Sequence, residues 1–142
     1  MAAIAVTASP LSPTALVATK DGGALFVACA TADRVLRFDT ATRTVTASLA
    51  MPGPPTGLAL SADGNRLFVT CAGPTSSVSV VDVPHGRVTA TFAAGHTAGA
   101  PVLSPDNRTL YVCNRFNDDV GFLDATTGRE QRRVRVRREP IA

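Results

Sequence analysis

Two histidines, one tyrosine, three cysteines and eleven acidic residues are the groups this 142-residue sequence offers for proton transfer, metal binding or covalent chemistry. Both glutamates, Glu130 and Glu139, stand in the last thirteen residues, so the body of the chain supplies no glutamate for acid–base work. Its serines have no histidine and acid at suggestive positions beside them, although a triad is a matter of geometry rather than spacing. Cys29, Cys71 and Cys113 form neither CxxC nor CxxCH, so no zinc knuckle and no covalent haem attachment is encoded. Asn117-Asp118-Asp119 brings two carboxylates into a polar run, but the spacing of an EF-hand loop is missing. No glycine-rich phosphate loop occurs. The expectation is a chain without catalytic residues, metal site or cofactor of its own. His96 and Arg115 are the two residues singled out as ligand contacts, His96 for a ligand or a proton and Arg115 for an anion.

That choice rests on the elements that place them. "PTALVATKDGGALFVACATADRVLRFDTATRTVTASL" from Pro13 is repeated as "PTGLALSADGNRLFVTCAGPTSSVSVVDVPHGRVTATF" from Pro55, and again as "APVLSPDNRTLYVCNRFNDDVGFLDATTGREQRRVRV" from Ala100. Asp21, Asp63 and Asp106 lie 42 and 43 residues apart, and Asp39, Asp82 and Asp124 lie 43 and 42 apart. A period near forty residues is that of one propeller blade. Each copy reads as four short strands. The first, such as Leu58-Ala59-Leu60, is an apolar run suited to burial on both faces. Asp21-Gly22, Asp63-Gly64 or Asp106-Asn107 then turns the chain, because Gly and Asn accept the positive φ of a tight hairpin. A polar loop leads to "VSVVD" or "VGFLD", whose last Asp receives backbone N–H groups of the following turn. The fourth strand, "RVTATF" or "QRRVRV", is the most polar, as the outer edge of a blade must be.

The expected fold is all-β: a β-propeller of about three four-stranded antiparallel blades in an incomplete ring. One partial domain spans 1–142, with a leading outer strand and linker at 1–12, blades at 13–54, 55–97 and 98–139, and the start of a fourth repeat at 140–142. The leading strand is inferred because "VTAS" at Val6–Ser9 recurs at Val45–Ser48 and as "VTAT" at Val88–Thr91. Pro140 opens a repeat because it lies sixteen residues after Asp124, as Pro55 does after Asp39. In an up-and-down blade, the loops after strands two and four share one end. That end collects Asp33, Arg34, Arg115, Asn117, Asp118, Asp119 and the stretch holding His96. His85 falls in a turn at the other end and is expected to be exposed there.

These residues resemble the YVTN family of propeller repeats, with its Pro-led inner strand, D-G turn, Y-V-T-N second strand and V-x-V-h-D third strand. "YVCN" at Tyr111–Asn114 is the closest copy, while "FVTC" and "FVAC" place Cys71 and Cys29 where the family has Asn. Pro101 departs from the pattern at the position of Leu58, and the absence of Trp disfavours a WD-type propeller. The resemblance implies a rigid disc that binds or displays: a non-enzymatic binding or scaffold module, part of a larger propeller. Two alternatives come with it, the propeller part of a periplasmic c-type-haem redox protein whose haem segment lies outside this chain, and a lactonase-like hydrolase. A periplasmic or cell-surface location is implied likewise, although "MAAIAVTASP" lacks the basic start and long apolar run of a secretory signal.

Charge and thiols bound the partners. The first 128 residues hold eight Lys and Arg against nine Asp, and the tail holds six Arg against two Glu. Arg133, Arg135 and Arg137 alternate with Val134 and Val136, which suits an outer strand that resists edge pairing. With no aromatics interleaved, nucleic acid is not an expected partner. No window approaches the ~18 apolar residues of a membrane helix, so no membrane span is expected. The thiols are expected to be buried and unpaired: neighbouring blades place Cys29 and Cys71 about 10 Å apart, beyond disulfide reach, and Cys113 falls one residue earlier in its repeat, on the opposite face. Three sheets do not close a ring, which takes about four to eight. Partners are therefore expected to be missing blades of the same protein, or further copies meeting through exposed blade faces.

Overall fold

A computed structural model describes residues 10–141. It contains twelve strands in three antiparallel sheets. The first is β1 (Pro13–Ala18), β2 (Ala24–Cys29), β3 (Arg34–Asp39) and β4 (Thr44–Ala50); the second is β5 (Pro55–Leu60), β6 (Arg66–Cys71), β7 (Ser77–Asp82) and β8 (Arg87–Ala93). The third is β9 (Ala98–Leu103), β10 (Thr109–Asn114), β11 (Asp119–Asp124) and β12 (Glu130–Arg135). Strands pair in chain order within each sheet, and β1, β5 and β9 stand side by side as the innermost strands. The ring they begin is open. The expected leading strand at 3–9 lies outside the described residues, as does Ala142; Pro140 and Ile141 belong to no strand.

The turns repeat one device. Thr19, Ser61 and Ser104 donate to the carboxylates of Asp21, Asp63 and Asp106 at 2.6, 2.5 and 2.6 Å. The same carboxylates accept the N–H of Gly23, Asn65 and Arg108 at 3.0–3.1 Å. Gly22, Gly64 and Asn107 take φ of 71°, 74° and 57°, the left-handed region that the turn pairs were read to require. At the next hairpin Asp39, Asp82 and Asp124 accept backbone N–H groups of Thr42, His85 and Thr127. His85 is exposed but not free, its Nδ1 lying 2.9 Å from Asp82.

The core is divided between two seams. Phe26 and Val35 of the first sheet, with Met51 just after β4, meet Leu67, Val69, Cys71 and Val81 of the second. On the other side of the second sheet Phe68, Val78, Val80 and Phe92 meet Ala98, Leu110, Val112 and Leu123 of the third. Fully burying one such side chain is worth about 1.5–3 kcal/mol. The innermost strands are also clasped, Thr14 Oγ1 donating to Pro55 O at 2.8 Å and Thr56 Oγ1 to Ala98 O at 2.7 Å. They approach so closely that a Cβ on Gly57 would stand 2.4 Å from Cδ of Pro101.

Several expectations need correction. The innermost strands are not all buried: β5, between β1 and β9, has no exposed residue and sends Ala59 into one seam and Leu58 and Leu60 into the other, while β1 is mostly exposed. The first sheet has a described neighbour on one side only, which leaves β1 open, and β6 is the most covered strand. The polar loops contain short 3-10 turns, Ala30–Ala32 and Arg115–Asn117, each ended by an Asp in the left-handed region, Asp33 or Asp118. Pro101 does not prevent β9 from forming. The bulge between Pro55 and Gly57 in the second sheet is displaced in the third to the segment opposite Tyr111 and Cys113, with Ala100 at φ 44°.

Candidate functional site

Backbone bonds bring His96 and Arg115 to the same end of the molecule. Thr97 O accepts the N–H of Arg115 at 3.3 Å and His96 O that of Phe116 at 3.4 Å, fastening the β8–β9 loop to the 3-10 turn after β10. Asn117 Oδ1 accepts the His96 N–H at 2.6 Å. The His96 ring meets the ring of Phe116 edge-on at 5.2 Å between centroids, and its Nδ1 lies 2.9 Å from Thr97 Oγ1. No carboxylate contacts the imidazole among the described residues, so the arrangement holds no acid–base pair.

Arg115 is the cation that lines a cavity at this end. Its guanidinium lies 5.3 Å from the centroid of Phe116 and donates through Nε and Nη2 to Glu139 Oε2 at 3.0 and 2.9 Å. Both side chains are about half exposed. Beside them is a cavity of about 290 Å³ lined by Thr56, Thr97, Gly99, Cys113, Arg115 and Ile141. Chemically, the site is a guanidinium at the mouth of a small cleft, already occupied by one carboxylate.

Behind it lies a buried polar network that the sequence reading missed. Asn114 Nδ2 donates to Asp119 Oδ1 at 2.7 Å, and Asn114 Oδ1 accepts the Gly95 N–H at 2.9 Å. Arg133 Nη1 reaches Asp119 Oδ2 at 3.4 Å and Nη2 reaches Glu130 at 2.6 Å. Asn114 and Asp119 are 2% and 3% exposed. Gly95 carries this contact because a Cβ there would fall 2.5 Å from Asn114 Cγ. Asp119 is therefore no solvated loop carboxylate but the first residue of β11, directly opposite Asn114. The signal was present in the repeat: the opposed pair is Cys29 and Arg34 in the first sheet and Cys71 and Ser77 in the second.

The three cysteines are free; Cys29 and Cys71 are buried, but Cys113 is only half-buried and borders the cavity. Burial pushes all three thiols up, Cys71 to about 11. At the opposite end, a broad groove of about 1120 Å³ between the first two sheets is lined by Lys20, Asp21, Arg37, Asp39 and Asp63. Asp21, Asp39 and Asp63 already accept hydrogen bonds from their own turns, which hold their carboxyls below the usual range. Arg115, one of the two residues singled out in the sequence, lines the smaller cleft and not the groove, which makes the cleft the candidate site.

No protein-family model matches the sequence, and no curated protein matches it. Solved structures do. A Kuenenia stuttgartiensis hydrazine synthase superposes with TM-score 0.86 at 25% identity, over 94% of this chain and 38% of that one. U3-55K and the WD40 repeats of RRP9 each superpose with TM-score 0.81 at 14% identity, over 92% of this chain and 41% of theirs. The chain thus spans about two-fifths of the length of these structures. The lack of Trp, which argues against a WD-type sequence, is no bar to that backbone. Sheet order, recurring turns and superposition agree that the chain is an all-β, open run of three propeller blades.

Proposed function

We propose that the chain is a non-enzymatic binding module of a YVTN-like propeller, and that it takes an anionic group of a ligand at Arg115 beside His96. The observation that carries this reading is the half-exposed Arg115 guanidinium holding a carboxylate, that of Glu139, at the mouth of the 290 Å³ cleft. Supporting the YVTN assignment are the threefold turn-and-strand pattern and Tyr111-Val112-Cys113-Asn114 in β10. The test is titration of the protein with a small dicarboxylate, succinate, followed by NMR of the Arg115 Nε–H and the His96 ring. Saturable shifts at both, absent in Arg115→Leu, are expected. Shifts that never saturate, or that persist in Arg115→Leu, refute the assignment.

A second reading is favoured by the 25% identity to a hydrazine synthase, an enzyme by its name: the propeller part of a periplasmic, bacterial c-type-haem redox protein. The described residues do not themselves fit that group, since Cys29, Cys71 and Cys113 stand singly in three different sheets. A haem would sit on a segment outside this chain. A CxxCH in the extended reading frame, with a haem absorbance band in the native protein, would establish this second reading.

A further inference from the structure

The first seam differs from the second at two positions, and both border the groove at the end away from His96. In the second seam Arg66 reaches from β6 to the third sheet, its Nη1 donating to Ala125 O at 3.1 Å, with the guanidinium 5.4 Å from the centroid of Phe68. The corresponding pair in the first seam is Ala24 and Val83. Ala24 stands opposite Asp39 as Arg66 stands opposite Asp82, and Val83 follows Asp82 as Ala125 follows Asp124. An alanine cannot bridge two sheets. The mouth that Arg66 covers in one seam is therefore open in the other, as the groove lined by Ala24 and Val83.

The second difference is charge. Val17, Phe26 and Arg37 form one row across β1, β2 and β3, and Val17 and Phe26 pack toward the second sheet. Residues directly opposite in antiparallel strands share a face, so Arg37 is turned the same way. Its counterpart in the second sheet is Val80, buried in the second seam. Arg37 lines the groove, its Nε is buried without a hydrogen-bond partner, and it makes no ion pair among the described residues. Buried polar groups are paired with few exceptions, so a buried guanidinium N–H facing a groove calls for an acceptor from outside the chain.

The rest of the lining describes that acceptor. Val17, Leu60 and Val83 are apolar. Asp21 and Asp39 take the donors of their own turns on Oδ1, which leaves Oδ2 of each without a hydrogen bond among the described residues. Lys20 and Arg37 against Asp21, Asp39 and Asp63 make the lining net acidic, which opposes a polyanion and suits a ligand carrying one carboxylate and one cation.

We propose that this groove binds an apolar α-amino acid, with its carboxylate on Arg37, its ammonium on Asp39 or Asp21, and its side chain against Val17, Leu60 and Val83. Arg37 and Asp39 lie two positions apart on one face of β3, about 6.6 Å between Cα atoms, so one small zwitterion can engage both. A guanidinium fork takes a carboxylate through two parallel hydrogen bonds, which gives Nε its acceptor. The groove lies between two sheets that are both described, so it depends neither on what flanks them nor on the anion reading of Arg115.

The test is titration of the 142-residue chain with free leucine, followed by NMR of the Arg37 Nε–H and the Val17 and Leu60 methyl groups. Saturable shifts at all three are expected. Two variants copy the second blade and so keep residues the fold already accepts: Arg37→Val removes the guanidinium, and Ala24→Arg covers the mouth as Arg66 does. Each is expected to weaken leucine at least tenfold, with the urea midpoint of Arg37→Val no lower than that of the unmodified protein. Two half-ligands, 4-methylpentanoate without the ammonium and isoamylamine without the carboxylate, are each expected to bind at least tenfold more weakly than leucine. Shifts that do not saturate, leucine binding unchanged in folded Ala24→Arg or Arg37→Val, or a half-ligand that matches leucine would each overturn the proposal.

Discussion

Replacing Asn114 by cysteine converts the third sheet to the residue the first two carry at this position, so the fold tolerates the side chain and the cost reports the network alone. Two hydrogen bonds disappear: Asn114 Nδ2 to Asp119 Oδ1 at 2.7 Å and Gly95 N–H to Asn114 Oδ1 at 2.9 Å. Losing a bond to a charged group costs about 1.5–3 kcal/mol, and an unpaired buried donor about 1–3 kcal/mol. The thiol, a small hydrophobe, offsets part of this. A net loss of about 3 kcal/mol is expected, near 10 °C in melting temperature for a chain of this size. Urea unfolding followed by circular dichroism measures it. Adding Asp119→Ser recreates the Cys71–Ser77 pair of the second sheet and removes the buried carboxylate left without its amide donor. The double variant is expected to regain at least about 1 kcal/mol. A cost below about 1 kcal/mol for Asn114→Cys, or a double variant no more stable than the single, would refute the idea that this network holds the β8–β9 loop and its histidine in place.

Three further outcomes follow from the repeat. Arg43 takes φ 57° where the other blades have Gly86 and Gly128 at 62° and 72°, and a non-glycine residue there costs about 1 kcal/mol; Arg43→Gly is expected to raise the urea midpoint, and a lowered midpoint contradicts the turn equivalence. Six turn aspartates, Asp21, Asp39, Asp63, Asp82, Asp106 and Asp124, have carboxyls held below the ordinary value by hydrogen bonds from their own turns. Depressed folded-state values mean that their stabilisation is present above the unfolded value near about 4 and is lost as pH falls through the folded values, so the urea midpoint should be level from about pH 5 to 7 and drop below about pH 4. Cys113, half-buried, is expected to react with a thiol reagent at pH 8 ahead of Cys29 and Cys71, read by mass spectrometry of the labelled peptides; first labelling at Cys71, whose thiol is pushed up to about 11, would contradict the burial order.

What was legible in the sequence was whatever the backbone dictates locally and repeats. Asp-Gly and Asp-Asn turns, strand-ending aspartates and apolar alternation have causes within a few residues, so three copies made them visible. Burial was less legible, because it depends on what stands opposite: Leu58 and Leu16 occupy the same repeat position, yet only Leu58 packs into a seam. Asp119 was misplaced for the same reason. Its neighbours Asn117 and Asp118 are turn residues, and only pairing with Asn114 draws it into β11. His96 and Arg115 did come to one end, since loop position follows from strand order. That Arg115 would meet Glu139 follows from the path of the chain after β12, which no periodicity encodes.

The second sheet is the one member packed on both sides, and that asymmetry has a kinetic side. In a stack where each layer contacts only its neighbours, an outer layer can peel away by breaking one seam, whereas the central layer cannot open until both have gone. Amide deuterium uptake should therefore proceed inward from the two ends, leaving β6 and β7 as the last protons to exchange. Association with a partner at either outer face would slow the whole sequence rather than one strand of it.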